Sequence, residues 1–152
     1  MNGLSRILLA EDDPRDVELT LKALARHKLA NEVEVTKDGA ETLDYLRRAG
    51  KYALRAGGNP AVILLDLKMP KVSGLQVLKD IKSDPELKSI PVVILTSSKE
   101  SRDLEQCYSL GVNAYVVKPV QFQEFMDAIA QVGAFWAIIN EPPPGSKGKT
   151  TR

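Results

Sequence analysis

The 152-residue chain carries one cysteine, Cys107, and one histidine, His27. A lone cysteine excludes an intrachain disulfide and leaves a thiolate zinc site without its other ligands. A lone histidine removes Ser-His and Cys-His catalysis unless His27 meets a nucleophile in space. Its setting, Leu24-Ala25-Arg26-His27-Lys28, reads instead as the exposed end of a helix, where a cation suits the dipole. Excess charge of either sign is also missing: Lys+Arg 21 against Asp+Glu 20 leaves +1, so no general electrostatic footprint for nucleic acid or an acidic membrane exists. No apolar run approaches the roughly 20 residues of a membrane span, and Met1 to Arg6 lead straight into a strand with no signal-like apolar stretch. A soluble cytoplasmic protein that binds neither nucleic acid nor membrane is the expectation. The length suits one domain, and 43% apolar with 27% charged residues is ordinary globular usage, which excludes disordered, collagenous and coiled-coil classes.

What is present is an alternation. Five short apolar runs, Ile7-Leu8-Leu9-Ala10, Val33-Glu34-Val35, Ala61 to Leu65, Pro91 to Leu95 and Ala114 to Val117, are separated by amphipathic stretches. Four runs are almost wholly apolar, which suits parallel strands covered on both faces; the second alternates, which suits an edge. Helix punctuation sits between them: Asp13-Pro14 as N-cap and first residue, Gly39 before Ala40 to Arg48 with Gly50 after it, Ser73-Gly74 before Leu75 to Ser83, and Ser101 before Arg102 to Leu110. Val120 opens a last helix. The class is α/β, a flavodoxin-like (βα)5 doubly wound parallel sheet with strand order 2-1-3-4-5.

In such sheets chemistry gathers beyond the carboxyl ends of the strands. There the first strand meets Glu11-Asp12-Asp13, the third Asp66, the fourth Thr96 and the fifth Lys118-Pro119. One rim therefore collects acids, a hydroxyl and a lysine. Bare, Glu11, Asp12 and Asp66 would repel one another, so the cluster invites a hard divalent cation; −3 from the acids, +2 from Mg²⁺ and +1 from Lys118 sum to zero.

These residues resemble the receiver domain of two-component response regulators. The matched pieces are Ile7 to Asp13, Leu64-Leu65-Asp66-Leu67-Lys68-Met69-Pro70 with Gly74 following, Ile94-Leu95-Thr96-Ser97, and Gly111 to Pro119, spanning about residues 4 to 133. The resemblance implies a phosphoryl group taken from a kinase phosphohistidine onto Asp66, with Thr96 and Lys118 contacting it. Mg²⁺ would be held by Asp12, Asp66 and the Lys68 backbone carbonyl, with Glu11 acting through water. Asp13 lies one place beyond the acid pair and has a cap to make. Lys118 precedes Pro119, where the family's peptide bond is commonly cis, aiming the ammonium into the pocket. Tyr115 occupies the aromatic switch position that answers an inward move of Thr96; a half-exposed strand aromatic is the plainer reading. Lys68 and Ser98 fall where the family sets phosphoryl lifetime, and a long cation at Lys68 implies slowed hydrolysis.

A rival reading is an aspartyl-phosphate phosphatase or phosphotransferase of the haloacid-dehalogenase type, which needs a second Asp two residues after the nucleophile; Lys68 stands there. A phosphorelay intermediate and a pure docking module are further readings. The expected receiver runs over 4–140, with its core in 4–133 and a helical extension to about 140, and 141–152 is a flexible Pro/Gly/Lys tail unable to build a core. Gly148-Lys149-Thr150 echoes a phosphate-binding loop, but Pro143 stands where its earlier glycine belongs. The long segment Gly50 to Pro60, Phe135-Trp136 and the Pro-rich end resemble regulators that partner phytochrome histidine kinases. A regulator of this type, not a turnover enzyme, acts by binding. In the last helix Phe122, Phe125, Met126, Ile129, Val132 and Trp136 share a core stripe, whereas Phe135 and Ile138 sit about 240° and 180° from Ile129. Exposed there, they are expected to form a self-complementary homodimer contact; the alternative is that the helix breaks near Gly133 and both tuck back.

Overall fold

The computed structural model describes residues 7–25, 29, 33–97, 101–112 and 114–139. His27, Ser98 and the 141–152 tail lie outside them. Five parallel strands, β1 (Ile7–Ala10), β2 (Val33–Thr36), β3 (Val62–Asp66), β4 (Val92–Thr96) and β5 (Tyr115–Val117), pair in the order β2-β1-β3-β4-β5. The helices are α1 (Pro14–Leu24), α2 (Gly39–Arg47), α3 (Gly74–Ser83), α4 (Ser101–Ser109), α5 (Phe122–Gln131) and α6 (Phe135–Ile139). Among the described residues no helix is long and apolar enough to cross a membrane.

Every residue of β1, β3 and β4 is buried, as near-continuous apolar strands require when helices cover both faces. Alternation along each strand divides the core in two. Ile7, Leu9, Leu64, Val93 and Leu95 pack with Phe125 and Ile129, while Leu8, Ile63, Leu65 and Ile94 pack with Val77, Leu78 and Ile81. β2 is an edge, as expected, although its residues Val33 to Val35 are uniformly half-buried. The long connection before β3 opens with a single 3₁₀ turn, Gly50–Tyr52. Tyr52 packs edge-on against Tyr45 with ring centroids 5.0 Å apart and donates its hydroxyl to Glu41 at 2.7 Å. The Arg55 guanidinium lies 4.1 Å from the centre of the Tyr45 ring.

The C-terminal extension corrects one sequence expectation. Phe135 and Ile138 are each only 3% exposed and belong to the core of their own chain, whereas Trp136, placed on the core stripe by periodicity, is 60% exposed. The cause is a helix stop. Gly133 adopts φ +81°, its N–H bonds to the Ala130 carbonyl at 3.2 Å, and the Ala134 N–H bonds to the Ile129 carbonyl at 2.8 Å. That pair of bonds is a Schellman closure, which a left-handed glycine accommodates. It resets the rotational phase, so α6 presents a different set of residues to the core. Phe135 and Ile138 are therefore spent on folding and are not available as the dimer contact.

Candidate functional site

Because all five strands run the same way, their carboxyl ends share a rim. Asp66 and Thr96 are the last residues of β3 and β4, Glu11 follows β1 directly, and Lys118 follows β5. The Lys118 N–H donates to the Thr96 carbonyl at 2.8 Å, which ties the two strand ends together. The Lys118-Pro119 peptide is cis, as the resemblance implied.

Local structure aims each side chain. Asp13 caps α1: its carboxylate accepts from the Arg15 N–H at 2.8 Å and Pro14 takes the first helical position. The Asp13 N–H in turn donates to Glu11 Oε2 at 3.1 Å. After β3, the Gly74 N–H bonds back to the Leu67 carbonyl at 2.9 Å. A Cβ on Gly74 would collide with the Asp66 carbonyl oxygen and Leu67 Cα, so only glycine lets α3 start against the loop that carries Asp66. Asp66 Oδ1 accepts from the Lys68 N–H at 3.2 Å, while the Lys68 side chain stands exposed.

These pieces line a cavity of about 220 Å³ that includes Glu11, Asp12, Asp66, Lys68, Thr96 and Lys118. Glu11 is 1% exposed and Asp66 4%, and with exposed Asp12 they place one carboxylate oxygen each within 4.8 Å of one another. Lys118 Nζ lies 3.2 Å from Glu11 Oε1, 3.1 Å from Asp16 Oδ2 and 3.4 Å from Asp66 Oδ2. Burial, reinforced by the Asp66 charge, pushes the Glu11 carboxyl up to about 7. Burial likewise raises Asp66, against the opposing pull of Lys118 and the Lys68 N–H. For Lys118 burial acts downward, but the hydrogen bond to Asp16 and the charges of Asp66 and Glu11 outweigh it and hold the ammonium above the ordinary lysine value. One lysine thus leaves an excess of negative charge among hard oxygen donors, a donor set that fits a divalent cation.

Thr96 is buried and donates its hydroxyl to the Ser97 carbonyl at 2.8 Å. Tyr115, 45% exposed, lies on β5 beside β4 and pairs in register with Ile94, two residues before Thr96. All the rim residues expected from the sequence converge. Asp16 was not expected there. Its one sequence signal was an acid in the first turn of α1, three residues after the Asp13 cap, a place that equally suits the helix dipole.

Comparison with known proteins agrees with this geometry. Residues 7–130 match the family model described as response regulator receiver domain. The structure superposes on the bacteriophytochrome response regulator AtBRR with TM-score 0.82 and 59% identity, covering 91% of this chain and 99% of that one. For the bacteriophytochrome response regulator RtBRR the values are 0.80 and 63%, with 95% and 87% covered. Response regulator Rcp1 of Synechocystis sp. is 35% identical over 130 residues, 86% of this chain and 87% of its own length. A Mn²⁺-bound form of Rcp1 has also been solved; it superposes with TM-score 0.71 and 34% identity, covering 91% of this chain and 98% of that one. With the acid cluster, the lysine and the fold in place, the chain belongs to the response regulator receiver domain family.

Proposed function

We propose that this receiver takes a phosphoryl group from a kinase phosphohistidine onto Asp66 and thereby switches an interaction surface. The observation that carries the reading is a buried carboxylate 3.4 Å from a lysine ammonium inside a three-carboxylate cluster. A carboxylate oxygen of Asp66 attacks phosphorus, the bond to the histidine nitrogen breaks, and the imidazole leaves with the electron pair. Lys118 neutralises the transferring oxygens, and Thr96 gives its hydroxyl to the new phosphoryl group in exchange for the Ser97 carbonyl. Asp12, Asp66 and the Lys68 backbone carbonyl would hold Mg²⁺ directly, with Glu11 acting through water; when bound, the cation supplies further charge neutralisation.

Tyr115 is then the switch, on β5 two residues before Val117, the register partner of Thr96. With Lys68 where a turnover phosphatase needs a second acid, the acyl phosphate persists as a signal. The 59% and 63% identities to bacteriophytochrome response regulators support a phytochrome histidine kinase as donor, and hence a cytoplasmic setting. A homodimer through the C-terminal segment rests on Trp136, the aromatic side chain that α6 leaves outward.

Incubation with acetyl phosphate and Mg²⁺, followed by intact-mass measurement, tests the reading. One phosphoryl group should be added, and only when both the metal and Asp66 are present. A label that survives Asp66→Asn would overturn the assignment, and many turnovers on small phosphoesters would favour an enzyme.

A further inference from the structure

Among the described residues, Asp16 touches the site without joining its metal cluster. Its Oδ2 lies 3.1 Å from Lys118 Nζ, yet the oxygens within 4.8 Å of one another belong to Glu11, Asp12 and Asp66. An ammonium has three donors, and here Lys118 faces three carboxylates, those of Glu11, Asp16 and Asp66. A cation bound at the cluster neutralises two of those partners, Glu11 and Asp66. Asp16 keeps its charge. It is also well fixed, on the first turn of a helix whose start is set by the Asp13 cap and Pro14. Lys118, by contrast, carries its charge on a flexible four-carbon stem.

We propose that Asp16 is a positioning residue, which holds the Lys118 ammonium over Asp66 once the other carboxylates are neutralised, so that the lysine meets the arriving phosphoryl group already placed. This rests on Asp66 as phosphoacceptor. Plain repulsion between Asp16 and a phosphoryl anion would act with the opposite sign, which makes the two effects separable.

The test titrates beryllofluoride, a tetrahedral stand-in for a phosphoryl group on a carboxylate, into the full chain at saturating Mg²⁺ by calorimetry. Free Mn²⁺ is followed separately by electron paramagnetic resonance. Asp16→Ala should weaken beryllofluoride binding roughly five- to tenfold, the scale of one partly exposed charge-assisted contact. Its Mn²⁺ affinity should stay within about threefold, since Asp16 is no ligand. Asp16→Asn, which keeps an acceptor oxygen for the ammonium but not the charge, should recover part of the loss. Asp16→Ala combined with Lys118→Ala should bind no worse than Lys118→Ala alone, because the two act through one contact. Unchanged or tighter beryllofluoride binding by Asp16→Ala, an equal loss in the Asn variant, or additive losses would overturn the proposal. A wild-type chain that ignores beryllofluoride, or an Asp66→Asn chain that binds it equally well, refutes the phosphoacceptor reading itself and the proposal with it.

Discussion

Glu11 is where the stability and the function of this site oppose each other. The side chain is 1% exposed, and its carboxyl is pushed from the ordinary 4.5 up to about 7. Between those values the folded chain keeps a proton that the unfolded chain has released, so folding stability falls as pH rises from about 4.5 to about 7. At about 1.4 kcal/mol for each pH step the ceiling is roughly 3 kcal/mol; water at the open rim reduces this to about 1–2 kcal/mol. Glu11→Gln keeps the size and an acceptor for the Asp13 N–H while removing the charge. In urea unfolding at pH 7.5 with chelator present, it should be more stable than wild type by roughly 1–2 kcal/mol, or about 2–6 °C in Tm. The two proteins should converge below about pH 4.5, where Glu11 is protonated in the folded and the unfolded chain alike. A saturating divalent cation should narrow the gap at pH 7.5 by giving the ionised carboxylate a partner. A Gln variant no more stable than wild type at pH 7.5 without metal, or a difference independent of pH, would show that burial does not raise the Glu11 carboxyl.

Gly74→Ala should cost roughly 1–3 kcal/mol in urea unfolding and slow labelling by acetyl phosphate, because the added methyl collides with the Asp66 carbonyl and Leu67. Wild-type stability together with a wild-type labelling rate would show that the loop yields freely. Phe135→Ala should cost about 3–5 kcal/mol, whereas Trp136→Ser should stay within about 0.5 kcal/mol at protein concentrations where the chain is monomeric. The reverse order would restore the placement that helical periodicity alone suggests.

That contrast also marks how far local pattern reaches. The apolar runs at Ile7 to Ala10, Val62 to Leu65 and Val92 to Leu95 are legible because a strand buried on both faces must be apolar at every position. Once those strands are parallel, Glu11, Asp66, Thr96 and Lys118 must share a rim, since each lies at a carboxyl end; the site's membership therefore follows from the sequence without distances. The α1 cap is equally local, because Asp13 and Pro14 act on their immediate neighbours. The order of the elements and the approximate extent of the β-strands and of α1 to α4 thus followed from composition, periodicity and end signals, whereas the end of α5 did not.

Tertiary structure decided three matters that these signals do not contain. Asp16 meets Lys118 across 102 residues of chain, and Glu11 meets it across 107, so the lysine's choice of acceptors exists only when α1 and β5 are brought together. The raised Glu11 carboxyl depends on burial and on the nearness of Asp66, both properties of the assembled rim. The reversal of Phe135 and Trp136 depends on Gly133 entering the left-handed region at φ +81°. A periodic count assumes a continuous helix, and one residue of opposite hand ends the continuity; where the chain then points is set by which side chains the core beyond it can bury.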